Sequence, residues 1–314
     1  MKIGIVGSGL VGSTIAYAVL FRKAASEIIM IDVNEQRARA EAMDIAHAVP
    51  FSHPAIVRQG GFSDLKECVI VVVAAGVNQK PGETRIQLLG RNGAIFEKII
   101  PEILFYAPEA TLLVATNPVD IMTHIAGIFV KKSGKPVHQV VGTGTTLDTA
   151  RFRSLLGTLC HVDPQHVHGY VIGEHGDSEV LTWSVVDVGG FQLEAFLKRR
   201  DIPFDEKVKN DIDGQVRNAA YTIIEGKGAT YYGIGAAAAH IVNAFTHNSR
   251  AILTVCSYLE NVRGITDVTL SLPHLLQGSK VVDILPLNLS SREEEALRTS
   301  AGKLRSILDE YQAL

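Results

Sequence analysis

The feature that most constrains the fold is a glycine motif near the N-terminus. Residues 3–6 form a short apolar run, followed by Gly7, Gly9 and Gly12 in the spacing Gly-x-Gly-x-x-Gly and by a helical pattern over 13–21. Between a strand and a helix, the first glycine permits a tight turn and the second lets a pyrophosphate approach the backbone. The third lets the helix pack closely on the strand. The helix N-terminus adds free N–H groups that favour phosphate. The motif predicts a βαβ unit that binds a dinucleotide.

The next strand pattern decides which dinucleotide is favoured. The apolar run 28–31 ends in Asp32, twenty residues after Gly12. A carboxylate there accepts hydrogen bonds from both ribose hydroxyls and repels a 2′-phosphate, so NAD is favoured over NADP. The alternative is a glycine turn beside a surface aspartate that binds no nucleotide. We predict an NAD site formed by Gly7, Gly9, Leu10, Val11, Gly12 and Asp32.

The rest of the first half alternates strand and helix patterns, which predicts an α/β fold with a Rossmann-type, doubly wound parallel sheet. The strand patterns cover 69–74, 111–115 and 137–141, and the helical patterns cover 35–47, 87–106 and 121–130. The second half is predicted to be an α+β substrate domain with antiparallel strands. Its strand patterns cover 180–188, 251–259 and 268–276, and its helical patterns cover 205–225, 234–246 and 291–311. We place the boundary between an NAD-binding domain, 1–143, and a substrate domain, 144–314.

Composition excludes several functional classes. The net charge is −3, so there is no basic field to bind nucleic acid or an anionic membrane, and no apolar run reaches the length of a membrane span. Cys68, Cys160 and Cys256 are widely spaced and odd in number, which predicts free thiols in a reducing compartment. The chain enters a strand pattern at its N-terminus without a signal peptide. We therefore expect a cytoplasmic protein.

Polar residues follow the predicted parallel strands, at the sheet edge where open α/β folds bind ligands. The segment 77–85 contains Gly and Pro and carries Gln79 and Arg85. It is either an ordinary surface loop or a lid over a bound substrate. Asn117 follows the strand pattern 111–115 and is a second candidate at this edge.

His175 is the candidate acid–base residue, because imidazole exchanges a proton near neutral pH. It follows an apolar strand and lies between Gly173 and Gly176, whose lack of side chains would let a substrate and a cofactor approach closely. Taken alone, a turn histidine is the commoner outcome. Upstream, Asp148 and Arg151 lie three residues apart and so share one helix face; a capping aspartate beside a surface arginine is the alternative.

Four histidines between 161 and 175 raise the question of a metal. No carboxylate or cysteine set with ligand spacing accompanies them, so the sequence predicts no metal site.

The glycine motif, the 77–85 segment, the Asp148/Arg151 pair and His175, in this order, resemble the lactate/malate dehydrogenase family over essentially the whole chain. The resemblance implies an NAD-dependent oxidoreductase acting on a 2-keto acid. It implies that His175 exchanges the proton, that Asp148 holds its imidazole and that Arg151 binds the substrate carboxylate. It further implies that Arg85 polarises the carbonyl and that Asn117 lies near the carbonyl and the nicotinamide.

Two positions bear on which keto acid is used. In the family, a malate enzyme has an arginine at the position of Gln79, and a neutral Gln79 cannot compensate a second buried carboxylate. Thr230 matches the lactate-type pocket. Both favour pyruvate and lactate, with a malate dehydrogenase of lactate-like sequence as the nearest alternative. The L configuration of the hydroxy acid is implied by the resemblance alone. A non-catalytic NAD-binding redox sensor is the alternative from another class, although a sensor needs none of Asp148, Arg151, His175 and Arg85.

The resemblance also bears on control and assembly. Arg153 and His168 match residues with which bacterial members bind fructose 1,6-bisphosphate at a subunit interface; the alternative is a surface arginine and a structural histidine. The chain lacks the N-terminal arm of the vertebrate enzymes, which is consistent with a bacterial type. The family implies a homotetramer, with a weaker dimer as the alternative in the absence of the effector. The expected role is the regeneration of NAD in glycolysis and fermentation.

Overall fold

The computed structural model describes residues 1–77, 82–261 and 264–312, with only the main chain for Arg85, His138 and Gln312. The helices are α1 (Leu10–Phe21), α2 (Glu35–His47), α3 (Arg85–Tyr106), α4 (Val119–Lys132), α5 (Thr146–Cys160), α6 (Leu193–Arg199), α7 (Glu206–Lys227), α8 (Tyr232–Thr246) and α9 (Ser291–Gln312). The first strands are β1 (Lys2–Val6), β2 (Glu27–Ile31), β3 (Ile56–Gln59), β4 (Cys68–Val73), β5 (Thr111–Val114) and β6 (Val140–Gly142). The later strands are β7 (Val167–His168), β8 (Val171–Ile172), β9 (Val180–Leu181), β10 (Asp187–Val188), β11 (Phe191–Gln192), β12 (Ala251–Leu253), β13 (Cys256–Leu259), β14 (Val268–Ser271), β15 (His274–Gln277) and β16 (Lys280–Ile284).

Among the described residues, eight strands form the main sheet, in the order β14-β13-β6-β5-β4-β1-β2-β3. The pairs from β3 to β6 are parallel, which confirms the predicted Rossmann-type sheet. The strands β13 and β14 come from the second half of the chain. β13 pairs antiparallel to β6, and β14 pairs antiparallel to β13. The second half therefore extends the sheet of the first half, and it also forms the small antiparallel sheets β11-β10-β7, β12-β15-β16 and β8-β9.

Both faces of the sheet are covered, because its central strands are apolar on both sides. On one face, Val71 and Val73 pack in the same cluster as Phe96 of α3 and Ile125 of α4. On the other face, the strands pack in a cluster with α1 and α8. The contact between α1 and α8 is close: a Cβ on Gly235 would lie 2.4 Å from Thr14 Cγ2. The small-residue segment of α8 thus supports close packing, as its composition indicates.

Several predicted strands are interrupted. Residues 137–139 form a 3-10 turn after Pro136, and the strand begins only at Val140. The predicted strand 180–188 divides into β9, a 3-10 turn over Trp183–Val185 and β10. The predicted strand 268–276 divides at Pro273, which has no N–H for a ladder. The pattern 251–259 divides into β12 and β13. No pattern predicted β3, β11, β16 or α6.

Two expectations from the sequence concern the cysteines, predicted to be free thiols, and the absence of a membrane-spanning apolar run. Cys68, Cys160 and Cys256 are buried and form no disulfide with one another. No helix of the described residues is long and apolar enough to span a membrane.

Candidate active site

The glycine motif lies between β1 and α1, and its three glycines have different surroundings. Gly7 has a φ of +103°, and a Cβ there would lie 2.5 Å from the backbone nitrogen of Ala75. A Cβ on Gly12 would lie 1.8 Å from the Gly7 carbonyl oxygen, so the loop and helix can pack only without it. A Cβ on Gly9 would meet nothing within 4 Å. Gly7 and Gly12 therefore shape the loop, whereas Gly9 leaves open space at the N-terminus of α1.

Asp32 faces this loop from the end of β2. Its carboxylate accepts the Ser8 N–H at 2.7 Å and the Asn34 N–H at 2.9 Å. A carboxylate has about four lone-pair sites, so acceptors remain for two hydroxyls. Leu10 and Val11 form the first turn of α1, and Leu10 is half exposed beside the loop. The open cradle at Gly9, the helix N-terminus and the acceptor at Asp32 fit a bound NAD.

The predicted acid–base residues come together. The Nδ1 atom of His175 donates to Asp148 Oδ2 at 2.6 Å, and the Nη1 atom of Arg151 donates to Asp148 Oδ1 at 2.6 Å. The Asp148 side chain is only 2% exposed, whereas His175 and Arg151 retain 26% and 18% exposure. One buried carboxylate thus orients an imidazole and a guanidinium that both reach solvent.

The charges of this group determine its protonation. Burial by itself lowers the pKa of His175, but the carboxylate of Asp148, with Asp120 and Glu179, raises it to about 9. Burial by itself raises the pKa of Asp148, but His175 and Arg151 hold it below its usual range. At neutral pH the imidazole is therefore protonated and able to act as a general acid.

Two carboxyls that the sequence analysis missed also face His175. Asp120, 2% exposed on α4, accepts the backbone N–H of His175 at 2.7 Å. Glu179 is 4% exposed. One carboxylate oxygen of Glu179, one of Asp148 and one ring nitrogen of His175 lie within 4.8 Å of one another. The carboxylates near His175 thus come from α4, from α5 and from its own loop. Spacing along the sequence did not indicate these carboxylates as a group, because Asp120 and Asp148 lie far from His175 in the chain.

Of the two glycines beside His175, Gly173 has a different role from the one predicted. A Cβ on Gly173 would lie 2.8 Å from Ser300 Oγ, so α9 occupies the space that the missing side chain leaves. A Cβ on Gly176 would make only ordinary contacts, with the Glu174 carboxyl at 3.5 Å. The interpretation of Gly173 as space for a ligand is therefore wrong: it allows α9 to pack behind the loop.

The ends of the predicted lid are held by hydrogen bonds, although Gln79 lies outside the described residues. Asn92 of α3 was not predicted. It is 1% exposed, accepts the Val77 N–H at 2.9 Å and donates to the Asn117 carbonyl at 3.2 Å. Asn117 itself is exposed at the end of β5. Asn92 thus connects the start of the segment to the loop that carries Asn117.

The far end of the segment is the N-terminus of α3. Thr84 and Gln87 form a capping box there, and Glu83 accepts from Arg91 at 2.7 and 2.8 Å. Arg85 is the first residue of α3, but its side chain lies outside the described part of the structure.

The remaining predicted residues lie in the second half of the chain. Thr230 is partly buried in the connection between α7 and α8. Arg153 of α5 donates to the Gly169 carbonyl at 2.9 Å, and its guanidinium lies 5.2 Å from the centre of the Tyr170 ring. His168 is exposed on β7, next to Gly169 in the chain. Arg153 therefore lies beside the segment that carries His168.

Comparison with known proteins agrees with this arrangement. Residues 1–142 match the NAD binding domain of lactate/malate dehydrogenases, and residues 145–314 match their alpha/beta C-terminal domain. The chain belongs to the lactate/malate dehydrogenase family. As a member of the family it is an oxidoreductase with an NAD-binding domain.

Relatives of this dehydrogenase match it over nearly its whole length. An L-lactate dehydrogenase of Geotalea daltonii is 54% identical over 309 residues, which cover 98% of this chain and 99% of the relative. An L-lactate dehydrogenase of Thermus aquaticus is 51% identical over 305 residues, which cover 97% of each chain. The crystal structure of the minor L-lactate dehydrogenase of Enterococcus mundtii, in its ligands-bound form, has a TM-score of 0.93 at 39% identity and covers 98% of this chain and 97% of its own.

The different surroundings of the glycines lead to a test of the cofactor site in this dehydrogenase. In Gly9→Ala the new methyl group occupies only the open cradle, so we expect a nearly unchanged unfolding temperature. The same variant should bind NADH at least about tenfold more weakly. In Gly12→Ala the methyl group overlaps the Gly7 carbonyl, which should cost roughly 1–3 kcal/mol of stability. Thermal unfolding and NADH fluorescence titration measure both effects, and wild-type affinity in Gly9→Ala would contradict the placement of the cofactor.

Proposed function

We propose that this protein is an NAD-dependent L-lactate dehydrogenase that interconverts pyruvate and L-lactate. The observation that carries the proposal is the buried Asp148 carboxylate between His175 and Arg151. This arrangement places a proton donor, His175, beside a group that can bind a carboxylate, Arg151. The relatives described above match the chain over nearly its full length and are L-lactate dehydrogenases, which supports the choice of substrate.

The roles of the residues follow from the chemistry of reducing a 2-keto acid. Bound NADH supplies the hydride that C2 of the keto acid accepts. Arg151 uses one donor on Asp148 and keeps the others for the substrate carboxylate, which it orients bidentately. The protonated imidazole of His175 donates its proton to the carbonyl oxygen as C2 is reduced. In the reverse direction neutral His175 accepts that proton from the hydroxyl of L-lactate.

The lid residues complete the proposed site. Arg85, at the start of α3, polarises the carbonyl when segment 77–85 closes, and closure excludes water. Asn117 lies at the sheet edge beside the carbonyl and the nicotinamide, and Asn92 holds its loop. Gly7, Gly9, Leu10, Val11, Gly12 and Asp32 bind the dinucleotide.

Substrate choice rests on Gln79 and Thr230. Pyruvate has one carboxylate, which Arg151 receives, and a methyl group that fits a neutral pocket. Oxaloacetate has a second carboxylate, and burying it opposite neutral Gln79 leaves its charge uncompensated. We therefore propose pyruvate as the preferred substrate.

Steady-state oxidation of NADH with pyruvate and with oxaloacetate tests this choice. The wild-type protein should prefer pyruvate in kcat/KM. Gln79→Arg should move the ratio towards oxaloacetate by about two orders of magnitude, because it pairs the second carboxylate. Gln79→Asn, which stays neutral, is the control and should keep the preference for pyruvate. A wild-type preference for oxaloacetate would make the chain a malate dehydrogenase, and turnover of neither keto acid would make it an NAD-binding sensor.

We also propose that fructose 1,6-bisphosphate activates the enzyme through Arg153 and His168 in a homotetramer. The support is that Arg153 bonds the carbonyl of Gly169, the residue after His168, and that guanidinium and imidazole groups both suit phosphate binding. We further propose a cytoplasmic, fermentative role in regenerating NAD. The end of β6 at Gly142 and the start of α5 at Thr146 support a domain boundary at residues 143/144.

The effector proposal predicts a change in KM. Fructose 1,6-bisphosphate should lower the KM for pyruvate by about 5–150-fold, the usual range of allosteric coupling. Arg153→Ala should lose this response, whereas Arg37→Ala, which removes an exposed arginine of α2, should keep it. Analytical ultracentrifugation with and without the bisphosphate reports the tetramer. A wild-type KM that the bisphosphate leaves unchanged would overturn the effector site.

A further inference from the structure

Glu179 is a buried carboxyl that the mechanism above does not use. It lies directly before β9 and is 4% exposed. Its Oε1 atom is buried and has no hydrogen-bond partner among the described residues. It nevertheless lies beside the reactive pair, since Asp148, His175 and Glu179 each have one polar atom within 4.8 Å of the others. A buried carboxyl without a partner is costly to keep charged, so its position calls for an explanation.

The charges around Glu179 come from three elements. Asp148 and Arg151 face it from α5, His175 from its own loop and Arg217 from α7. Arg217 is already paired with Asp213, at 2.5 and 3.0 Å. Burial and the Asp148 carboxylate raise the pKa of Glu179 to about 8, although Arg217, His175 and Arg151 act in the opposite direction. Glu179 therefore gains or loses a proton at a pH close to the pKa of His175.

A second observation gives this proton a route. Glu179 lines a cavity of about 550 Å³ between α7 and the beginning of α9, together with Trp183, Phe204 and Arg217. Glu179 therefore has a polar atom within 4.8 Å of those of Asp148 and His175, and it also lines this cavity.

We propose that Glu179 is a positioning residue whose charge follows the protonation of His175, and that it thereby extends the pH range of pyruvate reduction upward. Between the two pKa values, about 8 for Glu179 and about 9 for His175, the Glu179 carboxylate is charged and stabilises the His175 imidazolium. When His175 has given its proton to the substrate oxygen, Glu179 takes up a proton from solvent through the cavity, and the net charge of the cluster is unchanged by that exchange. The inference rests on the proposed dehydrogenase function.

The sign of the effect follows from the groups that face His175. These are Asp148 and Arg151 from α5, Asp120 from α4 and Glu179 from its own loop. The negative charge of Glu179 is one of the causes that raise the pKa of His175. Replacing it by a neutral amide should therefore lower that pKa, by roughly one unit for an opposite charge at this distance.

The test is the pH dependence of kcat/KM in both directions. Pyruvate reduction requires protonated His175 and is lost as pH rises through its pKa, whereas lactate oxidation requires the neutral ring and appears over the same range. In Glu179→Gln both limbs should move to lower pH together, by roughly one unit. Glu179→Asp, which keeps an ionisable group, should restore most of the shift. A structural role would lower kcat at every pH without moving the limbs, and unmoved limbs overturn the proposal.

A matched control and a second measurement separate the outcomes. Glu293, 8% exposed, lines the same cavity but accepts from Ser184 and Ser290, so Glu293→Gln should leave the limbs in place. If Glu179→Gln does not fold, NMR titration of the His175 ring in the wild-type protein decides, with the signal assigned by its loss in His175→Ala. Two inflections, one from each group, are expected; a single inflection overturns the inference. This titration does not depend on turnover, so absent pyruvate reduction would contradict the proposed function alone.

Discussion

The negative charge of Asp148, buried between two cationic partners, is the interaction on which the site depends. A carboxylate that is only 2% exposed is costly unless its partners are close and well oriented. Arg151 comes from the next turn of α5, but His175 comes from a loop and lies twenty-seven residues after Asp148 in the chain. The pair forms only if α5 and this loop are held in register. Asp120 of α4 contributes to that by accepting the backbone N–H of His175.

The frame that holds these elements is shared by the two halves of the chain. The strands β13 and β14 extend the sheet of the first half beyond β6, and α8 packs closely against α1. The backbone of Gly173 pairs with Ser271 of β14, so the loop of His175 is attached to the same sheet as the glycine motif. The predicted cofactor loop and the imidazole thus belong to one continuous framework.

Local signals predicted much of this architecture. The glycine motif and Asp32 identified the first βαβ unit, and the periodicity of residues 35–47 gave the bounds of α2. The apolar run of β4 indicated a strand buried on both faces. These predictions succeeded because the physical cause lies within a few residues. The interrupted strands were harder to predict. The 3-10 turn over Trp183–Val185 divides one apolar pattern, and Pro273 removes a ladder donor inside another.

What the sequence could not give depends on contacts between distant segments. Position 173 requires a glycine because Ser300 of α9 packs against it, and nothing near Gly173 in the chain indicates this contact. Asp120 and Glu179 resemble ordinary surface carboxylates in the sequence, yet both are buried beside His175. Asn92 belongs to the same group: only the fold shows that it connects Val77 to the loop of Asn117.

The central claim is that His175 transfers the proton in a site that Asp148 orients. The most direct measurement compares kcat for pyruvate reduction with NADH affinity in wild-type protein and His175→Ala. Loss of proton transfer should lower kcat by about 10²–10⁴-fold, while the dissociation constant of NADH stays nearly unchanged. A parallel loss of NADH binding would make His175 a structural residue, and wild-type turnover in the variant would contradict the mechanism.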